Sequence, residues 1–215
     1  WTYPMPHRND AAKAFKTFMR EVVGPNKIHK VETIKSDGAR ELIYGELREY
    51  LLDNKIVDQQ VTAPDASHSN GKAERAIRTL STLTRALMLH NNTPPSLWNY
   101  AIKHAALLIR HLPSASNPGR RAPMQLLKHT KDPVELNKLR TFYAPVYFYD
   151  SVTAKNKSRR FSPRGSPGYF LGFSNKTMTS YFIRSKKTRR IHNIGAREVY
   201  FYEDLNHSAP LLPPL

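Results

Sequence analysis

An α/β layer, followed by helices and a small antiparallel β-barrel, is the architecture this sequence predicts. Three observations predict it. Residues 1–61 alternate strand-like and helix-like segments, the pattern of α/β folds. From Gly71 to Leu112 apolar residues recur at helical spacing. From Leu139 the pattern shortens to brief aromatic and β-branched runs separated by turns, the mark of antiparallel strands.

Taken in order, Trp1 to Met5 is a short apolar strand cut off by Pro6. Asn9 or Asp10 caps a helix whose buried stripe is Ala11, Ala14, Phe15, Phe18, Met19 and Val22, ended by Gly24-Pro25. His29 to Lys35 is a strand leading to Asp37. Glu41 to Asn54 is a second helix, with Leu42, Leu47, Tyr50 and Leu51 inward, and Ile56 to Val61 a short strand. Thr62 to Ser69 is a polar loop of the kind that closes over substrates. Beyond the Asn70-Gly71 turn, Ala76, Ile77, Leu80, Leu83 and Leu87 mark the apolar face of a long helix. Glu74, Arg78, Ser81 and Arg85 mark its polar face.

Thr93-Pro94-Pro95 opens the next helix, with Leu97, Trp98, Ala101, Ala105, Leu108 and Leu112 inward. Trp98 is expected in the core, against the back of the long helix. Ala122 to Leu127 is a short helical turn, and Arg120 and Arg121 before it are within reach of a phosphate backbone. The strand-like runs are Phe142–Tyr149, Gly168–Phe173, Met178–Ile183, Arg189–Ile194 and Val199–Tyr202, followed by a Pro-rich tail.

The 215 residues suffice for one or two domains. Lys and Arg number 34 against 17 acids, a net charge of +17, which points to nucleic acid or another polyanion as partner. The charge is uneven. Residues 1–90 carry 14 basic and 11 acidic side chains, whereas residues 151–197 carry 12 basic side chains and no acid. The polyanion-binding surface is therefore expected in the C-terminal part. Two basic connections stand out there: Lys155, Lys157, Arg159 and Arg160, then Lys186, Lys187, Arg189 and Arg190. They suit sequence-independent phosphate contacts, and equally a nuclear-localisation run. There is no cysteine, which excludes disulfides and Cys-containing zinc fingers. No apolar run approaches the length of a membrane-spanning helix, and nothing suggests a small-molecule substrate.

Asp37 and Glu74 are the candidate site. A carboxylate at a strand end and another in the first turn of a helix can converge in an α/β fold. Oxygen ligands suit Mg²⁺, and paired Mg²⁺ ions promote in-line displacement at phosphorus. Spacing alone favours a plainer role, with Asp37 capping a turn and Glu74 facing its helix N-terminus.

Ser36-Asp37, with Glu41 after three residues, then Ala63-Pro64 and Asn70-Gly71-Lys72-Ala73-Glu74-Arg75, resembles the integrase of copia-type LTR retrotransposons. That family belongs to the retroviral-integrase, RNase H-like superfamily of DDE polynucleotidyl transferases. Four later segments continue the resemblance: Pro94 to Trp98, Ala122-Pro123-Met124-Gln125-Leu126-Leu127, Gly168-Tyr169-Phe170-Leu171-Gly172-Phe173, and Arg197-Glu198-Val199-Tyr200-Phe201. The resemblance implies an RNase H-like integrase core over 1–113, a linker with a short helix over 114–138, a basic SH3-like, DNA-binding barrel over 139–204, and a tail over 205–215.

It also implies that Asp37 and Glu74 are the second and third catalytic carboxylates and hold Mg²⁺, or Mn²⁺ in its place. Asn70, Lys72, Arg75 and Arg78 would lie near the DNA backbone. The 36 residues between the two carboxylates are one more than the family usual, as a one-residue loop insertion would give. The implied partners are DNA, as element ends and target, and further copies of the chain in the intact polyprotein. The implied place of action is the nucleus or a cytoplasmic particle. The family's first catalytic Asp lies on a strand before the segment resembling residues 1–5. The chain therefore reads as an N-terminally truncated copy, inactive alone, with residues 1–5 detached from the remaining sheet. Asp10 and Glu21, on the following helix, are no substitute for that Asp. The alternatives are a non-catalytic nucleic-acid-binding remnant or domesticated host protein and, further off, a basic RNA-binding protein.

Overall fold

The computed structural model describes residues 1–24, 31, 33–36, 44–56, 58–61, 71–128, 136–149, 164–174 and 177–202. It divides into two compact units, 1–79 and 80–215.

In the first unit, α1 (Ala11–Phe18) continues into a π-helical turn, Met19–Val23, that Gly24 ends at φ 84°. β1 (Thr33–Ser36) and β2 (Asp58–Val61) pair in parallel, from Thr33↔Asp58 to Ser36↔Val61. Parallel pairing needs a crossover, and α2 (Glu46–Asp53) lies in it. The core is Ala12, Met19, Leu47, Leu51 and Ile56, with Phe15, Phe18, Val23, Val31, Ile34 and Tyr50 packed around it. The end of α2 makes two bonds that close a Schellman motif. The Ile56 N–H donates to the Leu51 carbonyl and the Lys55 N–H to that of Leu52, both at 2.9 Å. Ile56 is thereby turned into the core just before β2.

α3 (Gly71–His90) ends in the same motif, with Asn92 in the left-handed region at φ 45°. The Thr93 N–H donates to the Met88 carbonyl at 2.8 Å. A 3₁₀ turn, Pro95–Leu97, leads into α4 (Trp98–His111), and α5 (Pro123–Leu127) follows.

The second unit is built on a five-stranded antiparallel sheet. Its strands are β3 (Pro145–Tyr149), β4 (Gly165–Phe173), β5 (Ser180–Ser185), β6 (Ile191–Gly195) and β7 (Val199–Phe201), in the order β6-β5-β4-β3-β7. Strand alternation buries Val146, Phe148, Phe170, Tyr181 and Ile183 in one cluster. A register shift between Phe170 and Gly172 inserts Leu171 as an extra residue, as in a β-bulge. Phe170 therefore serves the sheet cluster, while Leu171 joins Leu97, Ala101, Phe142 and Tyr143 beneath the helices. Gly172, at φ 124°, takes the backbone angle that the bulge requires. The Asn91 side-chain amide donates to the Phe142 carbonyl, tying the end of α3 to the start of this unit's sheet.

Four sequence expectations are corrected. Trp1 to Met5 forms no strand and pairs with none of the described strands. Pro4 and Pro6 lack the N–H a ladder needs, and Trp1 instead packs edge-on against Phe18. The first-helix stripe runs through Ala12, Met19 and Val23 rather than Ala11 and Val22. Val23 falls there because the π-helical turn shifts the phase of the last turn. Ala76 and Ile77 are exposed, Ile77 by 63%, since the buried stripe of α3 begins only near Leu80. Trp98 is 49% exposed and Leu112 42%. The stripe of α4 is centred on Ala101, His104 and Ala105, which leaves Trp98 at its margin in the first turn.

Candidate nucleic-acid interface

The most strongly charged feature of the described surface is the turn between β5 and β6. The Ser185 N–H donates to the Arg190 carbonyl at 2.8 Å, and the Arg189 N–H to the Ser185 carbonyl at 2.9 Å. Arg189 takes φ 58° to close the turn. The Ser185 hydroxyl accepts from the Thr188 N–H at 3.2 Å, and the Lys186 N–H donates to the Pro167 carbonyl of β4 at 2.9 Å. The backbone is thus pinned at both ends while Lys186, Lys187, Arg189 and Arg190 all stand exposed. None of the four makes an ion pair among the described residues. Four unneutralised cations on a pinned turn can contact phosphates without paying to order a loop.

The second unit carries further cations that spacing did not single out. Arg184, on β5, donates to the Tyr143 hydroxyl at 3.3 Å. Tyr143 in turn stacks on Tyr169, at 4.4 Å and 10° between planes. Burial raises the Tyr143 phenol pKa, and the Arg184 guanidinium draws it back. Arg164 and Arg197 are exposed. The absence of acids across 151–197 was the available signal for all three.

The second group lies at the start of α3. Glu74 sits in the first turn, exposed, with Arg75 and Arg78 exposed beside it. The Arg75 guanidinium folds back toward Gly71, where an added Cβ would stand 3.4 Å from its Nη1. The backbone of Lys72 is helical. Asn70 and Asp37 lie outside the described residues, as do Lys155, Lys157, Arg159 and Arg160. β1 ends at Ser36, the residue before Asp37, opposite the last residue of β2. Ends of parallel strands are where α/β sheets bind ligands. Among the described residues, no group of three His, Asp or Glu side chains gathers around Glu74 or elsewhere. Glu74 alone, an exposed carboxylate between guanidinium groups, does not make a Mg²⁺ site, and the second carboxylate of the pair, Asp37, lies outside the described residues.

No family model matches the chain. Over 114 residues it is 28% identical to the retrovirus-related Pol polyprotein from transposon TNT 1-94 of Nicotiana tabacum, covering 53% of this chain and 8% of that polyprotein. Among solved structures, it matches a chain in the cryo-EM structure of the simian T-cell lymphotropic virus intasome in complex with PP2A regulatory subunit B56 gamma. That match has a TM-score of 0.48 at 15% identity and covers 93% of this chain and 66% of that one. In sequence, then, about half of this chain is similar to a small part of a retrotransposon Pol polyprotein.

Proposed function

We propose that this chain is an integrase-related segment of a retrotransposon polyprotein that holds DNA by its phosphate backbone. The observation that carries the reading is the pinned turn with Lys186, Lys187, Arg189 and Arg190 exposed and unpaired among the described residues. The net charge of +17 and the similarity to a Pol polyprotein support it. Cations on a fixed turn neutralise phosphates irrespective of base sequence, and each contact releases counterions. In this reading the five-stranded sheet is an SH3-like barrel following an RNase H-like core. Lys155, Lys157, Arg159 and Arg160 would bind phosphate as well. In the intact polyprotein, several copies act together in the nucleus.

The catalytic part of the proposal rests on sequence. Asp37 and Glu74 would hold Mg²⁺, which when bound supports 3′-end processing and strand transfer. Arg75 and Arg78 would hold the DNA backbone beside Glu74.

Duplex binding measured by fluorescence anisotropy across a salt series tests the first part. Replacing Lys186, Lys187, Arg189 and Arg190 by Ala should lower the salt slope by up to about 3–4. An unchanged slope would refute the assigned surface. Mg²⁺-dependent strand transfer by an N-terminally extended chain, abolished by Glu74→Gln, tests the second. Inactivity of every form, with salt-sensitive DNA binding intact, would establish the non-catalytic alternative.

A further inference from the structure

The outer face of the sheet near β7 carries a group of tyrosines. Val146 and Phe148 point into the core, so alternation turns Tyr147 and Tyr149 to the opposite face. Val199 and Phe201 likewise pack inward and turn Tyr200 outward. Tyr147 stands directly opposite Tyr200 in the β3–β7 register. The Tyr202 ring lies 4.9 Å from that of Tyr200. Tyr149 is 42% exposed and Tyr200 65%. The Tyr147 ring lies so close over Gly165 that a Cβ there would come within 2.3 Å of it. Glycine at that position lets the ring lie flat along the sheet.

The basic turn borders this aromatic patch. Tyr147 faces Pro167 across the β3–β4 pair, and Pro167 accepts from the Lys186 N–H. Tyr200, Tyr147, Pro167 and Lys186 therefore form one row across the sheet. At about 4.8 Å per strand, the Lys186 backbone stands roughly 10 Å from Tyr147 and 14 Å from Tyr200. Arg164, exposed, immediately precedes the residue paired with Tyr149.

Rings beside unpaired cations match a ligand with flat π-faces and a negative backbone. A base-paired duplex offers only the second of these, because its bases are already stacked inside. A second copy of this chain, itself at +17, would bring like charge to a basic surface. The geometry points to a stacking platform, Tyr147, Tyr149, Tyr200 and Tyr202, for unpaired bases of a DNA strand whose phosphates lie along the Lys186–Arg190 turn. The assignment rests on the phosphate-backbone reading above and adds a preference for unpaired over paired DNA. Base–aromatic stacking tolerates any sequence, since every base has a π-face.

The test compares three labelled DNA ligands on the full chain: oligothymidine of about 12 nucleotides, an abasic strand of equal length and charge, and a blunt duplex. The unsubstituted chain should bind oligothymidine about tenfold more tightly than the abasic strand. Tyr149→Ala with Tyr200→Ala should erase that difference and leave duplex affinity within about twofold, whereas Tyr149→Phe with Tyr200→Phe should keep it. Equal binding of oligothymidine and abasic strand by the unsubstituted chain would overturn the platform. So would an equal loss on all three ligands in the Ala variant. The variant lacking Lys186, Lys187, Arg189 and Arg190 separates the two readings. If it binds all three ligands as before while the oligothymidine preference persists, the phosphate-turn reading falls and the stacking rings stand.

Discussion

The imidazole of His104 lies nearly parallel to the Phe173 ring, with 8° between planes and 6.3 Å between centroids. Phe142 and Phe170 close the cage at 5.6 and 5.7 Å. Neither ring nitrogen has a hydrogen-bond partner among the described residues. Burial lowers the His104 pKa from 6.5 to about 4, and the nearby Arg140 backbone, outside hydrogen-bond geometry, offsets part of that.

The unfolded chain therefore binds a proton at His104 that the folded chain refuses between about pH 6.5 and 4. Stability falls as pH drops through that window, by about 3 kcal/mol at its lower end, and is flat above it. His104→Leu should remove this component, because leucine carries no group that titrates. Urea unfolding at pH 7 and pH 4.5 should show a smaller loss for the variant. Equal losses would place the acid sensitivity elsewhere.

Lys55 holds the left-handed position of the α2 Schellman motif at φ 58°, where glycine carries no Cβ penalty. Lys55→Gly should therefore stabilise the first unit, by up to about 1 kcal/mol after the added unfolded-chain entropy. The comparison with Asn92, which holds the same place after α3 at φ 45°, sharpens this. Asn92→Gly should gain less, because asparagine already tolerates the conformation. Denaturant midpoints for the two variants check the order.

Gly168 is enclosed by atoms that cannot withdraw. A Cβ there would meet the Arg184 carbonyl oxygen at 2.8 Å, Ile183 Cγ2 at 2.9 Å and Phe148 Cε1 at 3.0 Å. Gly168→Ala should cost about 1–3 kcal/mol, read from the unfolding midpoint of the second unit. Gly165→Ala presses first on the Tyr147 side chain. It should therefore cost less in stability and more in the oligothymidine preference.

The β-rich half was the most legible part of the sequence. Runs of aromatic and β-branched residues set between turns lie close to Pro145–Tyr149 and Ser180–Ser185, so local pattern located these strands. The βαβ unit was legible for the same reason, through Leu47 and Leu51 at helical spacing between two short strands. Trp1 to Met5 misled because apolar composition marks a strand only where a neighbour supplies a ladder. Trp98 misled because composition does not say which side of the first turn faces the helix layer. The cations at 186–190 were legible as a basic connection, but not their anchorage, which depends on the Pro167 carbonyl of another strand. His104 falls three residues after Ala101 on the buried stripe, a spacing already present in the sequence. The tyrosine platform needs the β3–β7 register, which no local pattern encodes.

The strand order carries one consequence for how this sheet forms. β3 to β6 follow one another as a meander, each pairing with the strand just made, but β7 returns to the far side of β3 and matches Val146 with Phe201. During synthesis the β3 edge therefore stays open until residue 201 has emerged. Joining it then closes a long loop, a slow step for a folding chain. Over that interval an open strand edge flanked by Val146 and Phe148 is available to any neighbouring chain. The three residues Val199–Phe201 thus cover the β3 edge.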